Sequence, residues 1–584
     1  MTYVCRYSMR FMRSLTRAAS LFTVGLACVH ADAQLATTLS TVSTQPAAQT
    51  ASQTNAVVST GWDSTTTTSL QAAGRILNQA SFGPTINDVF AVESSGIASY
   101  LDAQFKQPAY IIPAANPQTV TTGDCQSFSC DTEYYWWNDV IFGSDQLRQR
   151  VAFELSKLFV VSIDTVDPRY LPNYLNLLSQ DAFGNWFNLM QDVALSPAMG
   201  TYLNMANSTT PTAGQSANEN FAREMMQLFS IGVYALNQDG SLKLDGNGNP
   251  IANYTSAQVQ NFALAYTGWT FANNDCSAPS SANYYWYNLP PGQSCPMTVL
   301  PYAHSTVSKT LLRGTVLPAG QSAQQDLTGA LTNIFNDPSM PPFVAQHLIQ
   351  SLVKSNPSPA YISRVAAAFT DNGSGVRGDM KAIITAILMD PEARADDNGG
   401  ISDANGGKLR DPILWWASVM RAMGATSTAT VPNVAFFEQR FDLWLADLDE
   451  RPHVTPSVFS YYSPSFQLQG TSTYAPEFQN ENTLTISQMA EHMQDAITDN
   501  WSENGVTATE FAMNLTANSF WGEAARTATP TNLVNALDAL LLHGTMTQGM
   551  QQAIVTSIQG LDPATMVRCA VYLIVTSPQY RLMM

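Results

Sequence analysis

The stretch from Asn218 to Gly232 reads NENFAREMMQLFSIG and sets two carboxylates and a guanidinium inside an otherwise apolar segment with helical spacing. At 100° per residue, Glu219, Arg223 and Gln227 form one stripe and Asn220 and Glu224 the next, so carboxylates can grip Arg223 within a single turn. Paired carboxylates can divide acid and base work on a glycan or ester bond, and a guanidinium can hold an anionic group. Glu219, Arg223 and Glu224 are therefore candidate catalytic residues. His304, in the loop-like Pro301-Tyr302-Ala303-His304, is a fourth, since its ring can serve as acid, base or metal ligand. Trp269 offers a stacking wall for a flat ligand and Lys309 a nearby cation, making both candidate substrate contacts.

Each of these residues also has a structural reading. Ser216 and Glu219 have capping-box spacing, which would commit Glu219 to a helix start. Arg223 and Glu224 precede Met225, Met226, Leu228, Phe229 and Ile231, so they should be largely buried, and buried charges must be paired. A salt-bridge network satisfies that need without catalysis. Trp269 after Thr267-Gly268 reads equally as a packing plug, and His347 and His492 read as ordinary helix residues. No HExxH zinc helix, GxSxG nucleophile elbow, phosphate loop or dinucleotide fingerprint occurs in the chain, and no cofactor is expected.

Helices must position these groups. Leu175, Leu178, Ala182, Trp186, Leu189 and Val193 step by three and four, as one core-facing helix or two meeting at Gly184. Met380, Ile383, Ile384, Ile387 and Leu388 repeat the pattern before Pro391, and Thr255 with Gln258 matches a second capping box. Asp239-Gly240 and the DGNGNP run at 245–250 punctuate a small hairpin, and 309–317 adds another strand or two. The expectation is a mainly α protein, one large helical domain over 69–584 with one or two small β-hairpins, in one body or in two lobes meeting near 396–407.

The chain begins with Arg6, Arg10, Arg13 and Arg17, an apolar run from Ala18 to Val29 and Ala31-Asp32-Ala33, the pattern of a secretory signal peptide over 1–33. A lipoprotein site at Cys28 is the alternative. Residues 34–68 are Thr, Ser, Ala and Gln with few large apolar groups, which predicts a disordered linker. Of 27 Lys and Arg against 45 Asp and Glu, removing those four arginines and Asp32 leaves a net of about −21, so nucleic acid is not an expected partner. No stretch is long and apolar enough for a transmembrane helix. The expected location is the periplasm or outside the cell. Five cysteines remain after cleavage: Cys125 with Cys130 and Cys276 with Cys295 have spacings that suit disulfides, and Cys569 is left over in an apolar stretch as a buried thiol. No CxxC pair occurs, and no metal site is expected.

Several segments carry a resemblance: Arg75-Ile76-Leu77 through Ser81-Phe82-Gly83-Pro84, the Asn218 to Gly232 stretch, Tyr254 to Thr267-Gly268-Trp269, and Ser355 to Tyr361. Pro456-Ser457-Val458-Phe459 and Ala475-Pro476-Glu477-Phe478 extend it. Together they resemble the bacterial domain-of-unknown-function family 1800 (DUF1800) over nearly all of the chain beyond the linker. The resemblance implies an exported bacterial protein, encoded in relatives beside a companion exported family of unknown function 1501, which resembles alkaline phosphatases and sulfatases. It implies no activity. The family pattern sets His-Asp ahead of a Lys, whereas here His304-Ser305 precedes Lys309, so His304 lacks a carboxylate beside it in sequence.

Two functions remain. One is an exported accessory or binding protein acting with a companion exported protein or a cell-envelope polymer. The other is a secreted hydrolase acting on glycan or ester substrates through a Glu/Arg/His site.

Overall fold

The computed structural model describes residues 68–114, 129–283, 294–397, 406–426, 443–498, 513, 515–516 and 519–583. The expected signal peptide and the linker up to residue 67 lie outside these residues, as do Cys125 and positions 398–405 of the candidate boundary. The fold is mainly α-helical, with three two-stranded antiparallel sheets among the described residues.

Local chemistry explains many helix starts. Ser358-Pro359, Asp411-Pro412, Thr529-Pro530, Asp562-Pro563 and Ser577-Pro578 each place a capping side chain before a proline at the first helical position. The cap satisfies an orphan N–H, and proline has none to lose. Thr255 and Gln258 form the expected capping box. The long apolar stripe resolves into two helices, Leu171–Asp181 and Trp186–Leu195, with Gly184 between them. Met380–Leu388 forms as its periodicity predicts.

The strands are short. Lys309–Thr310 pairs with Val316–Leu317, and Trp269–Thr270 with Thr298–Val299. Lys408–Leu409 pairs with Leu582–Met583, which fastens the C-terminal end to the segment leading into the Pro412–Ala422 helix. The 233–252 segment folds back through Tyr234–Ala252, Leu236–Leu242 and Leu244–Pro250 bridges, a hairpin in place of extended strands. The Cys276–Cys295 disulfide is formed, and Cys569 is buried in the Pro563–Val575 helix.

Buried apolar side chains make one continuous cluster from Ala73 to Met583. Within it, Met340–Leu352 packs on Pro359–Thr370, Met380–Leu388 and Gln146–Leu158, and Gln146–Leu158 also packs on Leu70–Ala80 and Leu171–Asp181. Among the described residues no helix is long and apolar enough to cross a membrane.

Candidate functional site

The helix expected from the Asn218 stretch spans Asn220–Gln227, with Glu219 at its N-cap but making no side-chain cap bond. The Ser216–Glu219 capping box does not form. Asn218 intervenes, its Oδ1 accepting from Asn220 N at 2.9 Å, and this leaves the Glu219 carboxylate to take Arg223 Nη2 at 2.8 Å. That pair is not buried: the side chains are 30% and 41% exposed. Phe221, Ala222, Met225 and Met226 hold the buried face, and Arg223 lies 200° around the helix from Phe221, on the solvent side. Glu224 is half-buried, and its enclosed Oε2 has no partner among the described residues. Burial raises its carboxyl above the ordinary range, against the lowering effect of Arg223. One turn on, Gln227 Oε1 accepts from Tyr254 OH at 3.2 Å.

His304 does not face a cleft. It follows the turn Pro301–Ala303 and is buried. One ring nitrogen, Nδ1, lies 2.9 Å from the Thr267 carbonyl, and the other, Nε2, lies 2.9 Å from Asp326 Oδ2. The carboxylate missing beside it in sequence is thus supplied by the Ala323–Phe335 helix. Lys309 Nζ reaches the same Asp326 oxygen at 2.5 Å and donates to Ser305 O and Val307 O. Gly268 lets this node close. Its φ is +86°, and a Cβ there would meet His304 Cβ at 2.8 Å. The next residue, Trp269, is buried on its strand. His304, Lys309 and Trp269 therefore form an interior node away from the cavity described next.

That cavity, of about 490 Å³, opens where several parts of the chain meet, Val233 and Tyr234 of the hairpin among them. The Gln146–Leu158 helix gives Glu154, Lys157 and Leu158, and the end of the Asn220–Gln227 helix gives Gln227 and Leu228. Met340–Leu352 gives Phe343, His347 and Leu348, Lys408 enters from its strand, and the 458–465 and 476–477 segments complete the wall. Stretches on which the family resemblance rests therefore wall it: Gln227, Leu228, Val458, Phe459, Pro476 and Glu477.

A network of buried charges forms the floor. Lys157 Nζ lies 2.8 Å from Glu154 Oε2 and 3.0 Å from Asp411 Oδ2, and donates to Tyr462 OH at 3.2 Å. Arg150 pairs with Glu154 one turn earlier. Lys408 Nζ lies 2.9 Å from Glu477 Oε1 and donates to Ser351 O at 2.9 Å. Burial works to raise the Asp411 carboxyl, but Lys157, Lys408 and Arg150 outweigh it and bring it to about 2. Behind the floor neither Glu450 carboxyl oxygen has a partner among the described residues, and burial, reinforced by Asp411, pushes it well above the carboxylate range. The Tyr462 phenol is likewise held protonated by burial and by Asp411.

His347 stands on the apolar side of the cavity. Its Nδ1–H donates to Phe343 O at 2.9 Å, and burial lowers its pKa, so the ring is neutral with its lone pair on Nε2. The Asn218 stretch thus reaches the cavity only through Gln227 and Leu228. Residues outside the sequence-based candidates do most of the lining. Arg150, Glu154 and Lys157 had a signal of the same kind, opposite charges at i+4 and i+3 within an apolar helix.

The model of the family described as protein of unknown function (DUF1800) matches residues 75–582. The chain belongs to the DUF1800 family. The match takes in every helix that walls the cavity of this DUF1800 protein, and its His304 node as well. No curated protein and no solved structure matches it.

Proposed function

We propose that this DUF1800 protein is an exported binding protein, with the cavity between Gln146–Leu158 and Met340–Leu352 as its ligand site, working beside a companion exported protein or a cell-envelope polymer. The observation that carries this reading is the internal pairing of every charge on the cavity floor beneath a mainly apolar wall. Such a surface is already organised before a ligand arrives, which is what binding sites need. Hydrolysis would ask for a nucleophile or water held against a free base, whereas the carboxylates here are held by Lys157, Arg150 and Lys408. Export is supported by the N-terminal pattern and by the Cys276–Cys295 disulfide. Val233, Tyr234, Leu242, Leu244 and Ile251 expose apolar surface on the hairpin beside the mouth, where a companion such as an unknown-function 1501 protein would dock.

Native mass spectrometry of the mature protein, isolated gently from its own host, tests the reading. The expected result is a bound small molecule that is absent from Leu158→Trp, a change that fills the cavity from a half-buried position. A bare mass for the wild type, or a ligand retained by Leu158→Trp, would overturn it.

A further inference from the structure

On the reading of the cavity as a ligand site, the polar groups of its walls define what enters. Two ammoniums and two carboxylates line it, Lys157, Lys408, Glu154 and Glu477, and each is paired with its opposite. Lys157 lies between Glu154 and Asp411, at 2.8 and 3.0 Å, and donates to Tyr462 OH. Ser460 Oγ and Glu477 Oε2 have no partner among the described residues, but both are enclosed by protein. A charged ligand would enter a low-dielectric space with no unpaired countercharge to meet it, at the full cost of its desolvation.

His347 differs from all of these. Its Nδ1–H is committed to the Phe343 carbonyl at 2.9 Å, which places the lone pair on Nε2. Its ring lies against the Phe343 ring, with centroids 4.1 Å apart, and lines the cavity. Among the described residues no protein donor meets Nε2. The same lining holds Leu158, Leu228, Phe343 and Leu348, and Val233 and Phe459, 42% and 47% exposed.

We propose that the cavity takes an uncharged, mainly apolar molecule with one hydroxyl, of the alcohol or phenol type, whose O–H donates to His347 Nε2 while its body packs on the Leu158, Leu228 and Leu348 wall. A volume of about 490 Å³ suits a small organic molecule rather than a polymer chain. In the proposed complex no bond is made or broken; His347 acts as the recognition acceptor.

The test compares 4-propylphenol with 4-propylanisole, the same body without the donor, by isothermal titration of the mature protein. The phenol should bind about tenfold more tightly, the upper end of what one neutral hydrogen bond in an apolar site supplies. In His347→Phe the two affinities should converge, and in His347→Gln, whose amide oxygen accepts, the preference should return in part. Leu158→Trp should abolish binding of both. Equal affinities in the wild type, or a preference that survives His347→Phe, would refute the hydroxyl assignment while leaving the cavity as a site. Failure of both probes to bind the wild type, or binding unaffected by Leu158→Trp, would refute the site itself.

Discussion

Removing the Asp411 charge isolates the energetics of the cavity floor. Asp411→Asn keeps a side-chain oxygen to accept from Leu414 N, as Asp411 Oδ1 does at 2.9 Å, so the helix cap survives. What is lost is the carboxylate that Lys157 meets at 3.0 Å. Holding this carboxyl near 2 instead of its ordinary 3.8 corresponds to about 2 kcal/mol at neutral pH. Leaving Lys157 and Arg150 under-compensated in the interior brings the cost to about 3–5 kcal/mol. With unfolding entropy of about 2.1 cal/mol/K per residue over roughly 500 residues, each kcal/mol is about 1 °C of Tm. Asp411→Asn and Lys157→Met should each lower Tm by about 3–5 °C at pH 7 by scanning calorimetry. The double variant should fall short of their sum by about 1–3 °C, because it leaves less charge stranded. The sign of the pH dependence follows from a depressed carboxyl: its contribution is full above pH 4 and is lost as pH falls toward 2, so the gap between wild type and Asp411→Asn should close over that interval. A wild-type Tm for Asp411→Asn, or an additive double variant, would refute the coupling.

The His304 node gives a second test. Asp326→Asn strands the buried Lys309 ammonium and should cost about 3–5 kcal/mol, yet ligand titration of the cavity should be unchanged; altered affinity at normal stability would tie the node to function. Glu224→Gln relieves a half-buried carboxyl already raised by burial, so its Tm should match or slightly exceed the wild type, and a clear drop would show a partner it depends on. A pH series should show opposed windows. Burial and neighbouring carboxyls raise Asp139 to about 8 and Asp181 to about 7, so the folded state keeps protons that the unfolded chain sheds above pH 4. Stability therefore rises as pH falls from 8. Below 6.5 the trend is opposed, since burial holds His453 and His543 neutral down to about 3 while the unfolded chain binds protons there. Tm should climb between pH 8.5 and 6.5, and Asp139→Asn should flatten that climb; an unchanged slope would count against Asp139 as its source.

Local rules made the helices legible. Capping residues followed by proline, three-and-four stripes and the Cys276–Cys295 spacing all act within a few turns or one loop, so the sequence displays them directly. The cavity floor was not legible in that way. Glu219/Arg223 and Arg150/Glu154/Lys157 present the same pattern of opposite charges at i+3 and i+4, but one is a surface pair and the other is fully enclosed. The difference lies in what packs over each helix, which spacing does not encode. The same holds for His304, whose carboxylate partner comes from a helix 22 residues on, and for Lys408 and Glu477, which meet across the fold. Asn218 shows the limit of a local rule. A better-placed side chain one residue before Glu219 bonds to the Asn220 N–H, and the apparent capping box never closes.

A buried ion network contributes little net stability compared with apolar packing of the same volume, but every arrangement that strands one of its charges is penalised by several kcal/mol. Here the network joins the Gln146–Leu158 helix, the Lys408–Asp411 segment, the Tyr462 loop and Glu477. Apolar walls alone would tolerate slippage of those segments. Paired charges would not, and two of the segments form the cavity rim, where Ser460 is held at φ +68°, a conformation that a non-glycine residue keeps only when its surroundings enforce it. The network is therefore expected to set the shape of the mouth more than the stability of the fold. Lys157→Met with Asp411→Asn separates the two roles. It removes both charges and keeps the cap to Leu414 N, so Tm should fall by less than the sum of the single changes, while affinity for 4-propylphenol should fall at least tenfold because the rim is no longer pinned. An unchanged affinity at that lowered Tm would show that the charges serve stability alone, and an additive loss of Tm would show that the two charges are not coupled.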